Sequence, residues 1–119
     1  NKNITVYGDG SQTRSFCYVD DLVNGIFLMM RKENLAGPVN LGNPSEISIY
    51  NLAQEIIDLT SSKSKIINKE LPVDDPKQRC PNIEIANKEL GWQPSFDREV
   101  GLKKTIEYFD ELLNKEKLK

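Results

Sequence analysis

The sequence predicts a single mixed α/β domain, on three observations. Short β-branched and aromatic runs, at 4–7 and again at 15–19, alternate with longer stretches of helical periodicity. The 119 residues are one domain's length of chain, enough to bury roughly two-thirds of the surface an unfolded chain exposes. No apolar run approaches the roughly 20 residues that cross a bilayer, so the hydrophobic segments must pack against one another.

Taken in order, Ile4-Thr5-Val6-Tyr7 reads as a strand and Ser15-Phe16-Cys17-Tyr18-Val19 as a second, with Gly8-Asp9-Gly10 as a hairpin turn between them. Asp20 or Asp21 then caps a helix whose apolar residues, Leu22, Val23, Ile26, Phe27, Met29 and Met30, are too many for one stripe. Most of its circumference is therefore expected to be buried, with Gly25 permitting close approach of a neighbouring backbone. Ala36-Gly37-Pro38 breaks that helix, and Val39-Asn40-Leu41-Gly42 has the character of a buried parallel strand. A parallel strand needs partners on both sides, and this chain offers few. Ser48 caps the clearest helix, with Ile49, Leu52, Ala53, Ile56 and Ile57 at i, i+3, i+4, i+7 and i+8. A strand is expected within 65–71, an exposed proline-rich loop over 72–81, and a short helix from Asn82 to Leu90. Gly91 suits a left-handed cap with Trp92 folding back. Asp97 caps a last helix with the narrow stripe Leu102, Ile106, Phe109 and Leu113, before a Lys- and Glu-rich tail that frays.

Charge and composition remove several function classes. Sixteen Lys and Arg against 18 Asp and Glu leave a formal charge of -2, without the positive field that binding nucleic acid or an anionic membrane by bulk charge requires. The absence of histidine excludes histidine-dependent triads and histidine-ligated metal sites. Cys17 and Cys80 have no CxxC partner and read as free thiols of a reducing compartment. A soluble, cytoplasmic chain is expected. Its start at Asn1, without methionine, suggests a piece of something longer.

Two arginines stand in loops of turn-forming residues. Arg14 follows Gly8-Asp9-Gly10-Ser11-Gln12-Thr13, and Arg79 follows Pro72-Val73-Asp74-Asp75-Pro76-Lys77-Gln78. Each guanidinium is a rigid fork of donors suited to phosphate oxygens, and two forks could hold a diphosphate. Equally, Arg14 could pair with Asp9, and Arg79 with Asp74 or Asp75, as ordinary surface ion pairs. The Gly8-Asp9-Gly10 loop matches neither G-x-x-x-x-G-K-[ST] nor G-x-G-x-x-G. The adjacent carboxylates Asp20-Asp21 and Asp74-Asp75 point in different directions and suit capping and solvation better than paired acid–base work. Tyr7, Tyr18, Tyr50 and Tyr108 are followed four positions later by Ser11, Leu22, Gln54 and Leu112, so no Tyr-x-x-x-Lys pair exists.

As a set these residues resemble a known family. The run from Val6 through Gly25, containing Gly10-Ser11-Gln12-Thr13-Arg14-Ser15-Phe16 and Val19-Asp20-Asp21-Leu22, resembles the C-terminal part of the extended short-chain dehydrogenase/reductases that act on nucleotide sugars. Val39-Asn40-Leu41-Gly42-Asn43-Pro44, Asp74-Asp75-Pro76-Lys77-Gln78-Arg79-Cys80-Pro81 and Leu90-Gly91-Trp92-Gln93-Pro94 look like later landmarks, in the same order. Within the family, Gln12-Thr13-Arg14-Ser15-Phe16 is most similar to the UDP-glucuronate decarboxylases, whereas epimerases and dTDP-glucose 4,6-dehydratases typically carry Asp and an aromatic after this arginine. Arg79-Cys80-Pro81-Asn82-Ile83 departs from the usual Arg-x-Pro-Asp-Ile at Asn82.

The resemblance implies an α/β fold that is the C-terminal, substrate-binding portion of a Rossmann enzyme of the epimerase/dehydratase type, with residues 1–119 as one domain. It further implies that NAD is bound by an N-terminal Rossmann half that is absent here, and that the complete enzyme is a homodimer. In such enzymes NAD+ oxidises the sugar C4 hydroxyl, the resulting β-keto acid loses CO2, and the NADH formed reduces C4 again. By the same resemblance Arg14 and Arg79 contact the UDP portion of a UDP-sugar, Gln12 and Thr13 line the nucleotide site, and Tyr18 is a candidate for the pocket wall. Catalytic residues are expected outside this chain, which would be inactive alone. The rival expectations are a nucleotide-sugar epimerase or dTDP-glucose 4,6-dehydratase fragment, or a stand-alone nucleotide- or protein-binding module without catalysis.

Overall fold

Two small sheets, each assembled from strands distant in sequence, organise the chain. The computed structural model describes residues 2–35 and 37–117. Its elements run β1 (Ile4–Tyr7), β2 (Thr13–Ser15), α1 (Val19–Arg31), β3 (Glu46–Ser48), α2 (Ile49–Leu59), β4 (Ile66–Lys69), β5 (Gln78–Arg79), α3 (Glu84–Leu90) and α4 (Arg98–Lys117). β1 pairs in parallel with β4, Ile4 opposite Ile66 and Tyr7 opposite Lys69. β2 is the centre of a three-stranded sheet, antiparallel to β3 and parallel to β5. The mixed α/β class is as expected; the hairpin is not. Gly8-Asp9-Gly10 joins the two sheets, because its hydrogen bonds pull the chain away from β1. Asp9 accepts from the Ser11 amide (2.9 Å), and the Gly10 and Gln12 carbonyls accept from the Tyr50 and Ile49 amides at the start of α2 (both 3.0 Å).

α2 begins where Ser48 was expected to cap it, and the Ser48 side chain accepts from the Asn51 amide at 3.1 Å. The Asn82 Oδ1 accepts from the Glu84 amide (2.9 Å) at the head of α3. Gly91 closes that helix in the left-handed conformation, and Trp92 folds back to donate its amide to Ala86, its side chain buried. The 72–81 loop is mostly exposed, but contributes the two-residue strand β5. The second run is shifted: only Thr13–Ser15 pairs as a strand, and Tyr18, not an aspartate, occupies the cap position of α1.

Asp21 has a different task. Its carboxylate accepts from the Ser95 hydroxyl (2.6 Å), the Ser95 amide (3.0 Å) and the Phe96 amide (2.9 Å), while its carbonyl accepts from the Trp92 indole (3.0 Å). One buried residue thereby ties α1 to the segment that leads into α4. Gly25, one turn further along, gives the helix its close approach. A Cβ there would lie 2.8 Å from the Leu41 side chain and 3.0 Å from the Trp92 indole nitrogen. The close neighbours are thus two side chains and not the expected backbone, because Leu41 and Trp92 fill the space that the missing Cβ leaves.

The expected burial of α1 is not found. Within α1 only Asp21 and Gly25 are buried, whereas Val23, Ile26, Phe27 and Met30 are between 47% and 79% exposed. The apolar core is small, built on Val6, Ile47, Ala53, Ala86 and Trp92, and α1 reaches it only along its Asp21–Gly25 edge. Nor is 39–42 a strand: it joins neither sheet, and Leu41 instead packs on Gly25. The radius of gyration is 17.2 Å, against roughly 13–14 Å for a self-contained domain of this length. Of the expected 36–38 breaker, Ala36 lies outside the described residues, as do the last two residues of the tail.

Burial opposes ionisation of Asp21, but the Ser95 hydroxyl and the Phe96 and Ser95 amides outweigh it and hold the carboxyl below its ordinary value. Asp21→Asn turns one acceptor into a donor facing these N–H groups and should cost about 2–3 kcal/mol in denaturant unfolding. The depressed native value means that the wild-type contribution is complete above the ordinary carboxyl value of about pH 4 and is lost as pH falls below it. Acid unfolding of the Asn variant should accordingly show a weaker pH dependence in that range.

Candidate functional site

Parallel pairing of β2 with β5 sets Arg14 opposite Arg79, 65 positions apart in the chain. Registered neighbours on parallel strands project to the same side of a sheet, and both arginines line one cavity of about 510 Å³. Its other walls include Tyr7, Gln12, Ile49, Asp74 and Asp75. The cavity sits where β2 meets the first turn of α2 and the proline-rich loop, so sheet register sets the separation of the two cations.

The guanidinium groups are held differently. Arg14 donates through Nη1 to the Thr13 carbonyl (2.7 Å) and through Nη2 to Asp75 Oδ1 (2.5 Å), with 19% of its side chain exposed. Arg79 is exposed and has no ion-pair partner among the described residues. The Asp9–Arg14 pairing is not formed, because Asp9 serves the Ser11 amide, and Asp75 goes to Arg14 instead of Arg79. Arg79 also borders a second cavity, of about 400 Å³, with Ser15, Asn40 and Pro81. The Ser15 hydroxyl is buried without a hydrogen-bond partner.

Of the other expected site residues, Gln12 reaches the arginine cavity, 7% exposed and anchored by its side-chain amide to the Tyr7 carbonyl (2.8 Å). Thr13 does not line the cavity, and its hydroxyl donates to Glu46 Oε1 (2.6 Å). Tyr18 lies apart, its ring 4.9 Å from that of Phe96 and against Gly101, in a separate, largely apolar cavity of about 310 Å³. Glu46 had no sequence signal, and Gln78 appeared only within the landmark around Arg79, with no role given to it. Glu46 takes Thr13 on one carboxylate oxygen and Gln78 on the other (2.7 Å), and these two donors, Thr13 first, hold its carboxyl below the ordinary value.

Fold and cavity define a class before any kinship is considered: an α/β chain in which paired strand registers carry two cations into one cleft. Solved structures share its fold over about a third of their own length. A UDP-glucose 4-epimerase of Thermotoga maritima, solved with UDP-glucose, superimposes with a TM-score of 0.86 at 29% identity, over 93% of this chain and 36% of that one. A UDP-glucuronic acid 4-epimerase of Bacillus cereus, solved with UDP-glucuronic acid and NAD, gives 0.85 at 26% identity, over 92% and 36%. In sequence, residues 1–42 match the model of the NAD dependent epimerase/dehydratase family. UDP-glucuronic acid decarboxylase 1 of Danio rerio is 51% identical over 106 residues, 89% of this chain and 25% of the relative. Its Arabidopsis thaliana namesake is 40% identical over 114 residues, 95% and 26%. The chain is thus similar to the NAD dependent epimerase/dehydratase family over residues 1–42, and it spans about a quarter of the length of these curated relatives.

The Arg14–Asp75 pair is partly exposed on both sides, so solvent screens it. Asp75→Ala should therefore lower the free energy of unfolding by no more than about 1 kcal/mol, as measured in urea.

Proposed function

We propose that this chain is the UDP-sugar-binding portion of an NAD-dependent UDP-glucuronate decarboxylase, which converts UDP-glucuronate to UDP-xylose and CO2, and that it is inactive alone. The observation that carries the reading is the convergence of Arg14 and Arg79, in register, on one cavity. Two guanidinium forks on neighbouring strands, both lining one cavity, suit a ligand with two linked phosphates, and a partly desolvated site strengthens each charge-assisted hydrogen bond. Asp75 fixes one side of the Arg14 fork, while Arg79 is free to turn toward an anion. Gln12, locked through its side-chain amide on the Tyr7 carbonyl, shapes the wall beside them. Thr13 acts from behind through Glu46, and Tyr18 serves packing against Phe96 and Gly101. The choice of decarboxylase over epimerase or dehydratase is supported by the 40–51% identity to decarboxylases, against 22–30% for the epimerase and other family structures.

The residues present do not fit NAD. The paired glycines 8 and 10 connect two strands instead of leading from a strand into a helix N-terminus, and no Gly-rich dinucleotide fingerprint occurs anywhere in the sequence. No step of the reaction is therefore assigned to these residues; their part is to hold and orient the nucleotide. NAD, the catalytic groups and the homodimer contact are placed by this reading in polypeptide beyond residues 1–119. The expanded shape and the uncovered face of α1 support that division.

Titration calorimetry of the intact protein with UDP, UMP and uridine tests the reading. UDP should bind more tightly than UMP and uridine. Arg14→Ala should weaken UDP by about 2–3 kcal/mol, or roughly 30- to 150-fold, the cost of losing a charge-assisted contact. Equal affinity for uridine and UDP, or an Arg14→Ala variant with wild-type affinity, would overturn it. The 119 residues by themselves should release no CO2 from UDP-glucuronate in the presence of NAD+.

A further inference from the structure

β5 is only two residues long, lies at the edge of its sheet and arrives from a loop containing Pro72, Pro76 and, just beyond it, Pro81. A two-residue parallel pairing cannot hold such a loop in place by itself. The register explains what can. The row next to Arg14 and Arg79 pairs Thr13 with Gln78, and both of those side chains end on the carboxylate of Glu46, one on each oxygen. Alternation along a strand puts Thr13 and Gln78 on the side of the sheet opposite the arginines. Glu46, paired with Ser15 on β3, reaches them from that same side, and it is not among the residues lining the arginine cavity.

We propose that Glu46 is a positioning residue: its carboxylate clips β5 to β2 from the back of the sheet and so fixes the separation of Arg14 and Arg79. The ligand in this inference, a nucleoside diphosphate, rests on the reading above; the clip itself does not. Because geometry and not charge is what the clip supplies, an amide can replace the carboxylate. Its oxygen accepts from Thr13, and its nitrogen donates to the Gln78 oxygen once the Gln78 amide turns over.

Two measurements on the intact protein test this. In hydrogen exchange, the Thr13 amide, which donates to the Lys77 carbonyl at 2.9 Å, reports directly on the β2–β5 seam. Glu46→Ala should speed its exchange about tenfold or more and leave amides in the middle of α2 unchanged. Glu46→Gln should restore wild-type protection, and Gln78→Ala, at an exposed position with little folding risk, should reproduce the Glu46→Ala effect. In calorimetry, Glu46→Ala should weaken UDP about five- to tenfold, the order of one lost hydrogen bond. The same substitution in an Arg79→Ala background should change affinity less than twofold, because its effect passes through Arg79. Unchanged exchange at Thr13, or an equal loss of affinity with and without Arg79, would overturn the inference. A wild-type protein that ignores UDP would instead overturn the nucleotide reading, and the exchange result would still decide the clip.

Discussion

The alignment of β2 with β5 is the constraint on which the site depends. Arg14 and Arg79 are far apart in the chain, and no local turn or helix spacing could bring them together. Parallel pairing does so in one step, because facing residues of parallel strands share a side of the sheet. Like charges held this close repel, which the structure manages by giving Arg14 a carboxylate partner in Asp75 and leaving Arg79 toward solvent. The cleft is then poised with one fixed and one adjustable cation.

Helical elements were the most legible in sequence. Ser48 with its following apolar spacing located α2, and Asn82, Gly91 and Trp92 located α3 and its closing turn, because capping and periodicity are local properties. Strand pairing was not legible in the same way. The Gly8-Asp9-Gly10 loop has the composition of a hairpin, yet whether two strands pair is decided by what else competes for their edges, and here β4 takes β1 while β3 and β5 take β2. The role of Asp21 illustrates the same limit. An aspartate ahead of an apolar helix reads as a cap, and nothing nearby in sequence announces that Ser95 and Phe96 will claim its carboxylate.

In the site, Gln12, Arg14 and Arg79 were singled out from turn chemistry and family likeness, and the structure gathers these three around one cavity. Thr13 and Tyr18 came with the same likeness and sit elsewhere, Thr13 on the reverse of the sheet and Tyr18 against Phe96. Glu46 was invisible beforehand, since a glutamate between a proline-containing turn and a β-branched residue carries no spacing signal. The expected burial of α1 went wrong for a related reason: apolar periodicity shows that a face will be covered, and is silent about whether the cover comes from these residues.

The sheet topology also dictates an order of events. Tyr7 has to wait for Lys69, and Arg14 for Arg79, before either ladder closes; only β2 with β3 can join earlier, once Ser48 has been made. Such long loops make closure slow relative to helix formation, which takes well under a millisecond. A nascent chain still short of Lys69 would thus hold α1 and α2 while the edges awaiting β4 and β5 remained open, exposed to other chains in that half-made form.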